Sequence, residues 1–381
     1  MTAPLVIIGT GLAGYNLVKE FRKADAEREV VMITSDDGRQ YSKPMLSTGF
    51  SKGKDANGLA MNDAGKMAEQ LKCEIRTHQT ITAINPAQNQ VVLGNEIIEY
   101  SDLVLALGAE PIQLPIEGAE HLYHVNDLMD YDRFYQAVQG KNKVLVLGAG
   151  LVGCEYAHDL ASADFDVTLV APDEQPLSRL VPAQCGEALT PALQALGVDV
   201  QLGKAVTALR QEGEQFVASL SDGTEIQADV VLSAVGLKPR TNLALAAGLE
   251  INKAIVVDRY LQTSAQNVYA LGDCAEVEGL NLLYVLPLMN GARALAKTLA
   301  GTPTKVVYPV MPVMVKTPSM PIVTCPVAQD AQGSWQIDGQ TPHLKAVFED
   351  SVGNLLGYAL TGDCVAEKME LNKKLPAMLV S

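Results

Sequence analysis

Cysteine and histidine are sparse in this sequence, and neither occurs at a spacing that binds metal. The chain of 381 residues has five histidines and six cysteines, with no C-x-x-C pair. The cysteines are scattered at positions 73, 154, 185, 274, 325 and 364. A zinc site needs closely paired ligands, so we expect no bound metal and interpret the cysteines as small packing residues.

Positive charge and long apolar runs are also lacking. Lysine and arginine number 29 against 44 aspartates and glutamates, which gives a formal net charge of −15. Such an acidic chain is unsuited to nucleic acid or to an anionic membrane surface. No run of about 18 apolar residues occurs, so we expect no membrane span. The N-terminus leads into a strand without the pattern of a signal peptide, which favours a cytoplasmic location.

Two glycine fingerprints are the most informative positive feature. Gly9-Thr10-Gly11-Leu12-Ala13-Gly14 and Gly148-Ala149-Gly150-Leu151-Val152-Gly153 both read G-x-G-x-x-G, and each follows a continuous apolar run. Glycines at these places allow a tight turn, close approach of the backbone to a pyrophosphate, and close packing of helix on strand. Two such sites in one chain indicate electron transfer between two bound dinucleotides.

Apolar strands alternate with helical patterns along most of the chain, as in a doubly wound α/β fold. We predict strands at residues 29–33, 102–108, 166–170, 229–236 and 267–274, helices at 15–23 and 291–299, a hairpin over 91–100, and a β-meander with turns at 212–213 and 222–223. Beyond about residue 311 the pattern changes to short strands at 313–316, 322–325, 344–348 and 356–360, with a helix near 365–375. The predicted fold class is therefore α/β, with two Rossmann-like nucleotide-binding domains and a small C-terminal α+β domain.

An acid about twenty residues after such a fingerprint holds the ribose of the nucleotide. Asp36 follows the strand after the first fingerprint and is interpreted as that acid. After the second fingerprint the strand is followed by Ala171, and the nearest acids are Asp173 and Glu174. These acids would repel a 2′-phosphate, and the first downstream cation is Arg179, so the sequence favours NADH over NADPH.

In this order, the motifs resemble the FAD-dependent pyridine nucleotide oxidoreductases with the glutathione-reductase-like fold. Further marks are the strand ends at 105–108 and 233–236 and the stretch Tyr269-Ala-Leu-Gly-Asp-Cys-Ala275. The resemblance assigns the first fingerprint to FAD, the second to NAD, and Asp273 to the ribityl chain of FAD. It implies an FAD domain over 1–110 and 241–311, an NAD domain over 111–240, and a C-terminal domain over 312–381.

The resemblance also implies roles for individual residues. Lys43 would lie near the flavin N5 edge, where a cation stabilises the reduced flavin, and Glu155 would lie opposite this lysine; both are candidate catalytic residues. The implied cofactor contacts are Gly9, Thr10, Gly11, Leu12, Ala13, Gly14, Asp36, Lys43, Pro44, Ile81, Ala106, Gly108, Gly148, Gly150, Leu151, Val152, Gly153, Glu155, Asp173, Gly236, Gly272, Asp273, Val285 and Lys316.

A redox-active cysteine is missing where relatives with a disulfide or single-cysteine centre carry one. The stretch here is Tyr41-Ser-Lys-Pro-Met-Leu-Ser47, and the nearest cysteine is Cys73. We therefore expect the flavin to pass electrons directly to an outside acceptor. The absence of a thiol partner also removes the need for a shared active site, which favours a monomer.

The segment Val315-Lys316-Thr317-Pro318, together with Lys43-Pro44 and the stretch 283–287, is similar to bacterial rubredoxin reductases. This resemblance implies rubredoxin, a small iron protein, as the acceptor, with onward delivery to an alkane hydroxylase or an oxygen-detoxifying flavoprotein. Two alternatives remain: a reductase of a [2Fe–2S] ferredoxin, and a slow-turnover NADH-binding signalling flavoprotein. Because rubredoxins are acidic, electrostatic steering toward this chain should be weak.

Overall fold

The computed structural model describes residues 3–328 and 330–380. The strands, in chain order, are β1 (Leu5–Ile8), β2 (Val30–Ile33), β3 (Gln40–Tyr41), β4 (Ala60–Asn62), β5 (Glu74–Arg76), β6 (Ala83–Asn85), β7 (Gln90–Leu93), β8 (Glu96–Glu99), β9 (Asp102–Leu105), β10 (Ala109–Pro111), β11 (Lys143–Leu147), β12 (Asp166–Val170), β13 (Asp199–Gln201), β14 (Val206–Glu212), β15 (Gln215–Leu220), β16 (Glu225–Ala228), β17 (Val230–Ser233), β18 (Leu237–Pro239), β19 (Ile255–Val257), β20 (Val268–Ala270), β21 (Ala275–Val277), β22 (Val313–Val315), β23 (Ile322–Cys325), β24 (Ser334–Gln340), β25 (His343–Glu349) and β26 (Leu355–Thr361). The α-helices are α1 (Leu12–Ala24), α2 (Ala56–Leu59), α3 (Ala64–Leu71), α4 (Leu128–Ala137), α5 (Leu151–Ala161), α6 (Ala183–Glu187), α7 (Leu189–Ala195), α8 (Asn242–Ala246), α9 (Val285–Leu299) and α10 (Lys368–Lys374).

The first sheet is parallel and has the strand order β20-β9-β1-β2-β5. Its central strands β1 and β2 are continuous apolar runs and fully buried, as expected for a parallel sheet covered on both faces. Helices α1 and α9 pack against each other and share the core of this sheet. Strand β20 lies far along the chain from β9, so the polypeptide returns to this sheet after building the second one.

The second sheet repeats the first with a parallel order, β13-β12-β11-β17. An antiparallel meander of β14, β15 and β16 accompanies it, as the two predicted turns indicated. Helix α5 follows β11 directly, in the same way that α1 follows β1. The predicted pair of Rossmann-like units is confirmed.

The C-terminal part forms an antiparallel sheet with the order β22-β23-β26-β25-β24, and α10 follows it. Its inner face does not form an isolated core. Val315, Ile322, Ala346 and Ala359 belong to the same buried cluster as the residues around β11 and α5. The C-terminal sheet is therefore packed firmly on the second unit.

The segment 43–54 leaves the first unit after β3 and inserts into the second unit. Phe50 is buried, and its ring centroid lies 5.5 Å from those of Tyr131, Phe134 and Tyr135 on α4. Its edge also meets Phe165 at 5.9 Å. This aromatic contact fixes the segment that carries Lys43 against the neighbouring unit.

Candidate functional site

One large cavity, of about 1020 Å³, runs between the three parts of the molecule. Both glycine fingerprints line it, at residues 9–13 and 148–152. The C-terminal sheet contributes residues 311–314 and Lys316 to the same wall. A single space is thus shared by two nucleotide motifs and by the C-terminal part.

The first fingerprint forms a phosphate cradle. Gly9 has a φ of +111°, which favours glycine, and a side chain on Gly14 would place its Cβ 2.1 Å from the Gly9 carbonyl oxygen. Gly11 caps α1 without a side-chain hydrogen bond, and the first turn of α1 carries no acid. The free N–H groups at this helix start fit the pyrophosphate of a dinucleotide.

The second fingerprint has the same geometry. Gly148 has a φ of +100°, and a Cβ on Gly153 would lie 1.8 Å from the Gly148 carbonyl oxygen. Gly150 caps α5, again without a side-chain hydrogen bond and without an acid in the first turn. In addition, the buried Ser233 hydroxyl lines the cavity here without a hydrogen-bond partner among the described residues. This site also fits a dinucleotide.

The structure brings nearly all of the predicted contact residues to this one cavity. Three of them lie behind its wall instead: Gly14, Gly153 and Gly272. For these three, direct contact with a cofactor stays a prediction. Gly14 and Gly153 permit close packing of helix on strand, and a Cβ on Gly272 would lie 2.9 Å from the Cβ of Ala13.

Asp36 lies at the end of β2, on the cavity wall. Its Oδ1 atom accepts hydrogen bonds from the hydroxyls of Thr34 (2.8 Å) and Thr10 (3.2 Å) and from the Gly38 N–H (2.9 Å). These bonds orient the carboxylate, and they use one of its two oxygens. The other oxygen is suited to the ribose hydroxyl that the sequence predicted.

Lys43 and Asp273 lie close together on the cavity wall that the first unit forms. The Lys43 ammonium lies 3.6 Å from the Asp273 carboxylate and donates a hydrogen bond of 2.8 Å to Asn126 Oδ1. Asn126 is held in turn by its own donation to the Ala109 carbonyl at 2.9 Å. The sequence analysis did not single out Asn126, since a lone asparagine in a loop carries no pattern.

Glu155 differs from its predicted arrangement, because its ion-pair partner is Lys316 rather than Lys43. The Lys316 ammonium contacts Glu155 Oε2, and the Lys316 backbone N–H donates to Oε1 at 3.0 Å. Ser47 joins them, donating to Glu155 Oε2 at 2.6 Å and accepting from the Lys316 ammonium at 2.6 Å. This cluster, in which Ser47 and Glu155 are buried and Lys316 is partly buried, links all three parts of the molecule.

Two more side chains on α5 extend the connection. Asp159 accepts hydrogen bonds from the N–H groups of Phe50 (2.9 Å) and Ser51 (3.0 Å). His158 Nε2 accepts from the Ser319 N–H at 3.2 Å. Burial lowers the pKa of His158, which keeps the ring neutral and able to accept, and the nearby Asp159 opposes this in part. The helix that starts at the second fingerprint thus holds segments from both neighbouring parts.

Asp173 lies on the cavity wall beyond the end of β12. Its carboxylate accepts a hydrogen bond of 2.5 Å from the Ser178 hydroxyl. Arg179, six residues further along, lines the same wall. From its distance along the chain, Arg179 was expected to lie outside the nucleotide site. The loop after β12 folds so that Arg179 lines the cavity.

No cysteine occurs among the described residues that line the cavity. Cys154 and Cys274 lie nearby but are fully buried, and each thiol donates to a backbone carbonyl, of Ala149 and Leu105 respectively, at 3.3 Å. Burial raises the pKa of Cys274 to about 11, so it remains a thiol. Across residues 3–328 and 330–380, no cluster of metal-ligating side chains occurs, and no helix has the length and apolar character that crossing a bilayer requires.

Two dinucleotide cradles that open on one cavity define a two-nucleotide redox protein. The sequence profile of the pyridine nucleotide-disulphide oxidoreductases matches residues 3–296, and the chain belongs to this family. The predicted cofactors, FAD and NAD(H), are those of the family, and that prediction is confirmed. A second profile, for a rubredoxin binding C-terminal domain, matches residues 305–375.

Individual relatives narrow the similarity further. The chain is 52% identical to a rubredoxin-NAD(+) reductase of Alcanivorax borkumensis, over 99% of each chain. It is 40% identical to a rubredoxin-NAD(+) reductase of Acinetobacter baylyi, over 99% of this chain and 98% of the other. The solved NADH:rubredoxin oxidoreductase of Clostridium acetobutylicum has the same fold, with a TM-score of 0.82 at 20% identity over 98% of this chain and 95% of that one. The resemblance stated from the motifs is confirmed.

Proposed function

We propose that this protein is an NADH-dependent reductase of rubredoxin. The observation that carries the proposal is the shared cavity, which joins both nucleotide cradles and the C-terminal sheet without a cysteine among its lining residues. Full-length similarity to two rubredoxin-NAD(+) reductases supports the choice of carrier. When bound, FAD supplies acceptance of a hydride from NADH and release of single electrons to a carrier.

The residues of this chain have distinct roles in that reaction. The start of α1 and Asp36 hold the adenosine half of FAD, and Asp273 accepts hydrogen bonds from its ribityl chain. The start of α5 holds the pyrophosphate of NADH, with Asp173 at the adenosine ribose. Lys43 and Lys316 bring positive charge to the flavin edge, where it favours the reduced state. Glu155 orients Lys316 through the ion pair described above.

We assign the carrier to the C-terminal side of the cavity. Leu286 and Met314 line the cavity there and are 45% and 58% exposed, which gives the mouth an apolar rim. An apolar rim avoids the like-charge repulsion that an acidic surface would bring against an acidic partner, and it suits a short-lived contact. We propose an FAD domain over 1–110 and 241–311, an NAD domain over 111–240 and a C-terminal domain over 312–381. With these limits, the apolar rim lies between the FAD domain and the C-terminal domain.

We further place the protein in the cytoplasm, as a monomer. The six cysteines are all free, as in proteins from reducing compartments, and NADH is the proposed donor. Sedimentation of the FAD-loaded protein measures the oligomeric state directly, and a dimer at micromolar concentration would contradict the proposed monomer.

Side-by-side turnover with two carriers tests the proposal. The FAD-loaded protein is supplied with NADH and with either a rubredoxin or a [2Fe–2S] ferredoxin, and carrier reduction is followed by absorbance. We expect a clear preference for rubredoxin in kcat/KM. A preference for the ferredoxin would contradict the proposal. Slow bleaching of the flavin by NADH, with a long-lived charge-transfer band, would instead favour the signalling alternative.

A further inference from the structure

The loop after β12 is clipped onto the second fingerprint. Leu177 is buried, has a φ of +58°, and its N–H donates to the carbonyl of Ala149, the second residue of that fingerprint, at 2.8 Å. The next residue, Ser178, is tied to Asp173 by the hydrogen bond described above. These two contacts fix the position of Arg179, which follows directly and lines the cavity. Arg179 is therefore part of the nucleotide site, although it does not directly follow β12 in the sequence.

The charges at this end of the site are mixed. Ala171, directly after β12, is buried and offers no acid to a ribose hydroxyl. Asp173 supplies a carboxylate from two residues further on, while Arg179 is exposed and takes part in no ion pair within residues 3–328 and 330–380. The nearby Lys204 is engaged with Asp222 at 2.9 Å. One acid and one unengaged guanidinium thus line the wall where the adenosine ribose of NADH would lie.

We propose that Arg179 binds a 2′-phosphate at this wall, so that NADPH is a second electron donor of the protein beside NADH. The inference rests on the proposed function, since it concerns the donor site of the same reaction. A guanidinium matches a phosphate with two parallel hydrogen bonds and stays charged at every working pH. Asp173 opposes the same phosphate and accepts a hydrogen bond from an unphosphorylated ribose, so NADH remains the better donor. The ratio of the two donors is set by these two side chains.

Binding of adenosine fragments tests Arg179 without turnover. Isothermal titration of the FAD-loaded protein compares adenosine 2′,5′-bisphosphate with 5′-AMP, which differ by the 2′-phosphate alone. The Arg179→Gln change should lower the affinity ratio of bisphosphate to 5′-AMP about fivefold to tenfold, because one exposed charge-assisted contact is lost. Asp173→Asn should raise the same ratio. The matched control is Arg210→Gln, which removes an arginine paired with Glu225 on the meander and should leave the ratio unchanged.

Steady-state kinetics give the second readout. The ratio of kcat/KM for NADPH to that for NADH should fall in Arg179→Gln and rise in Asp173→Asn. An unchanged ratio in Arg179→Gln, by either measurement, would overturn the proposal. Failure of the native protein to bind either fragment would overturn the assignment of the NAD site itself, and this inference with it. Neither measurement uses rubredoxin, so a wrong choice of carrier leaves both results interpretable.

Discussion

Lys316 and Glu155 show what long-range packing adds to a sequence motif. They lie 161 residues apart, and no local pattern announces that they pair. The motifs predicted that both residues lie near the flavin, but they paired Glu155 with Lys43. In the structure, Lys43 contacts Asn126 and Asp273 instead. Ser47 was missed for a related reason: within the segment Tyr41–Ser47 the motif assigns roles to Lys43 and Pro44 only, and the partners of Ser47 lie 108 and 269 residues further along the chain.

We expect Glu155 and Lys316 to be coupled energetically. Glu155 is 2% exposed, so removing its charge leaves the Lys316 ammonium without its partner in a largely buried site. A double-mutant cycle of Glu155→Gln and Lys316→Met, measured by denaturant unfolding of the apoprotein, should give a coupling of about 1–3 kcal/mol. Additive effects of the two changes would show that the contact contributes nothing.

Asp273 should be needed to retain FAD. Its side chain is largely buried at the end of β20 and faces the cavity beside Lys43. Asp273→Ala should weaken FAD binding about tenfold or more, through loss of hydrogen bonds to a charged acceptor. Flavin content after purification and a fluorescence titration of the apoprotein measure this. Asp338→Ala, on the exposed strand β24, serves as control, and equal flavin retention in both variants would remove the assignment.

Helix α5 is the element that joins the parts of the protein. Its start forms the second cradle, and its inner face binds segment 43–54 through Asp159 and the C-terminal part through Glu155 and His158. The hydrogen bond from Ser319 requires a neutral His158. The pKa of His158 is lowered by burial, so below about pH 6.5 the unfolded chain takes up a proton that the folded chain resists.

Stability should therefore fall as the pH is lowered through about 6.5, with a slope from this residue of at most about 1.4 kcal/mol per pH unit. His158→Gln keeps an acceptor for the Ser319 N–H but does not titrate. Unfolding free energies between about pH 7.5 and pH 5.5 should thus depend less on pH in the variant than in the native chain. Equal pH dependence in the two proteins would exclude His158 as the group responsible.

The elements divide into those that local sequence specifies and those that it does not. The predicted hairpin over 91–100 is formed by β7 and β8, and α1 and α9 contain the predicted helices. Helix α9 begins earlier, at Val285, because Pro287 is tolerated in a first turn. Strand β24 was not predicted, because it is an edge strand rich in polar residues and its sequence lacks a clear strand pattern. Its hydrogen bonds to β25 hold it in the sheet.

The two glycine fingerprints were enough to predict the overall fold from the sequence, whereas the site could be predicted only in part. Each fingerprint is encoded within six consecutive residues, so both cradles and their parallel sheets were predictable. The return of Arg179 to the cavity depends on the Leu177 contact with Ala149, between residues that lie far apart in the sequence. Such contacts depend on loop conformation, which composition and periodicity do not report.

Net charge makes a separate prediction about carrier reduction. At −15, this protein does not attract an acidic carrier over long range, and the proposed contact is apolar around Leu286 and Met314. Raising NaCl from about 50 mM to about 500 mM should change kcat/KM for rubredoxin less than about threefold. Reduction of ferricyanide by NADH controls for salt effects on the first half-reaction. A collapse of the rubredoxin rate alone would show that docking depends on charge.

Reductive titration tests the central claim most directly. The claim is that FAD is the sole redox centre of the chain and exchanges electrons with the carrier without a thiol intermediate. Anaerobic titration of the FAD-loaded protein with dithionite should consume two reducing equivalents per chain, the capacity of one flavin. Consumption of four equivalents would reveal a second redox centre in the chain and contradict the account.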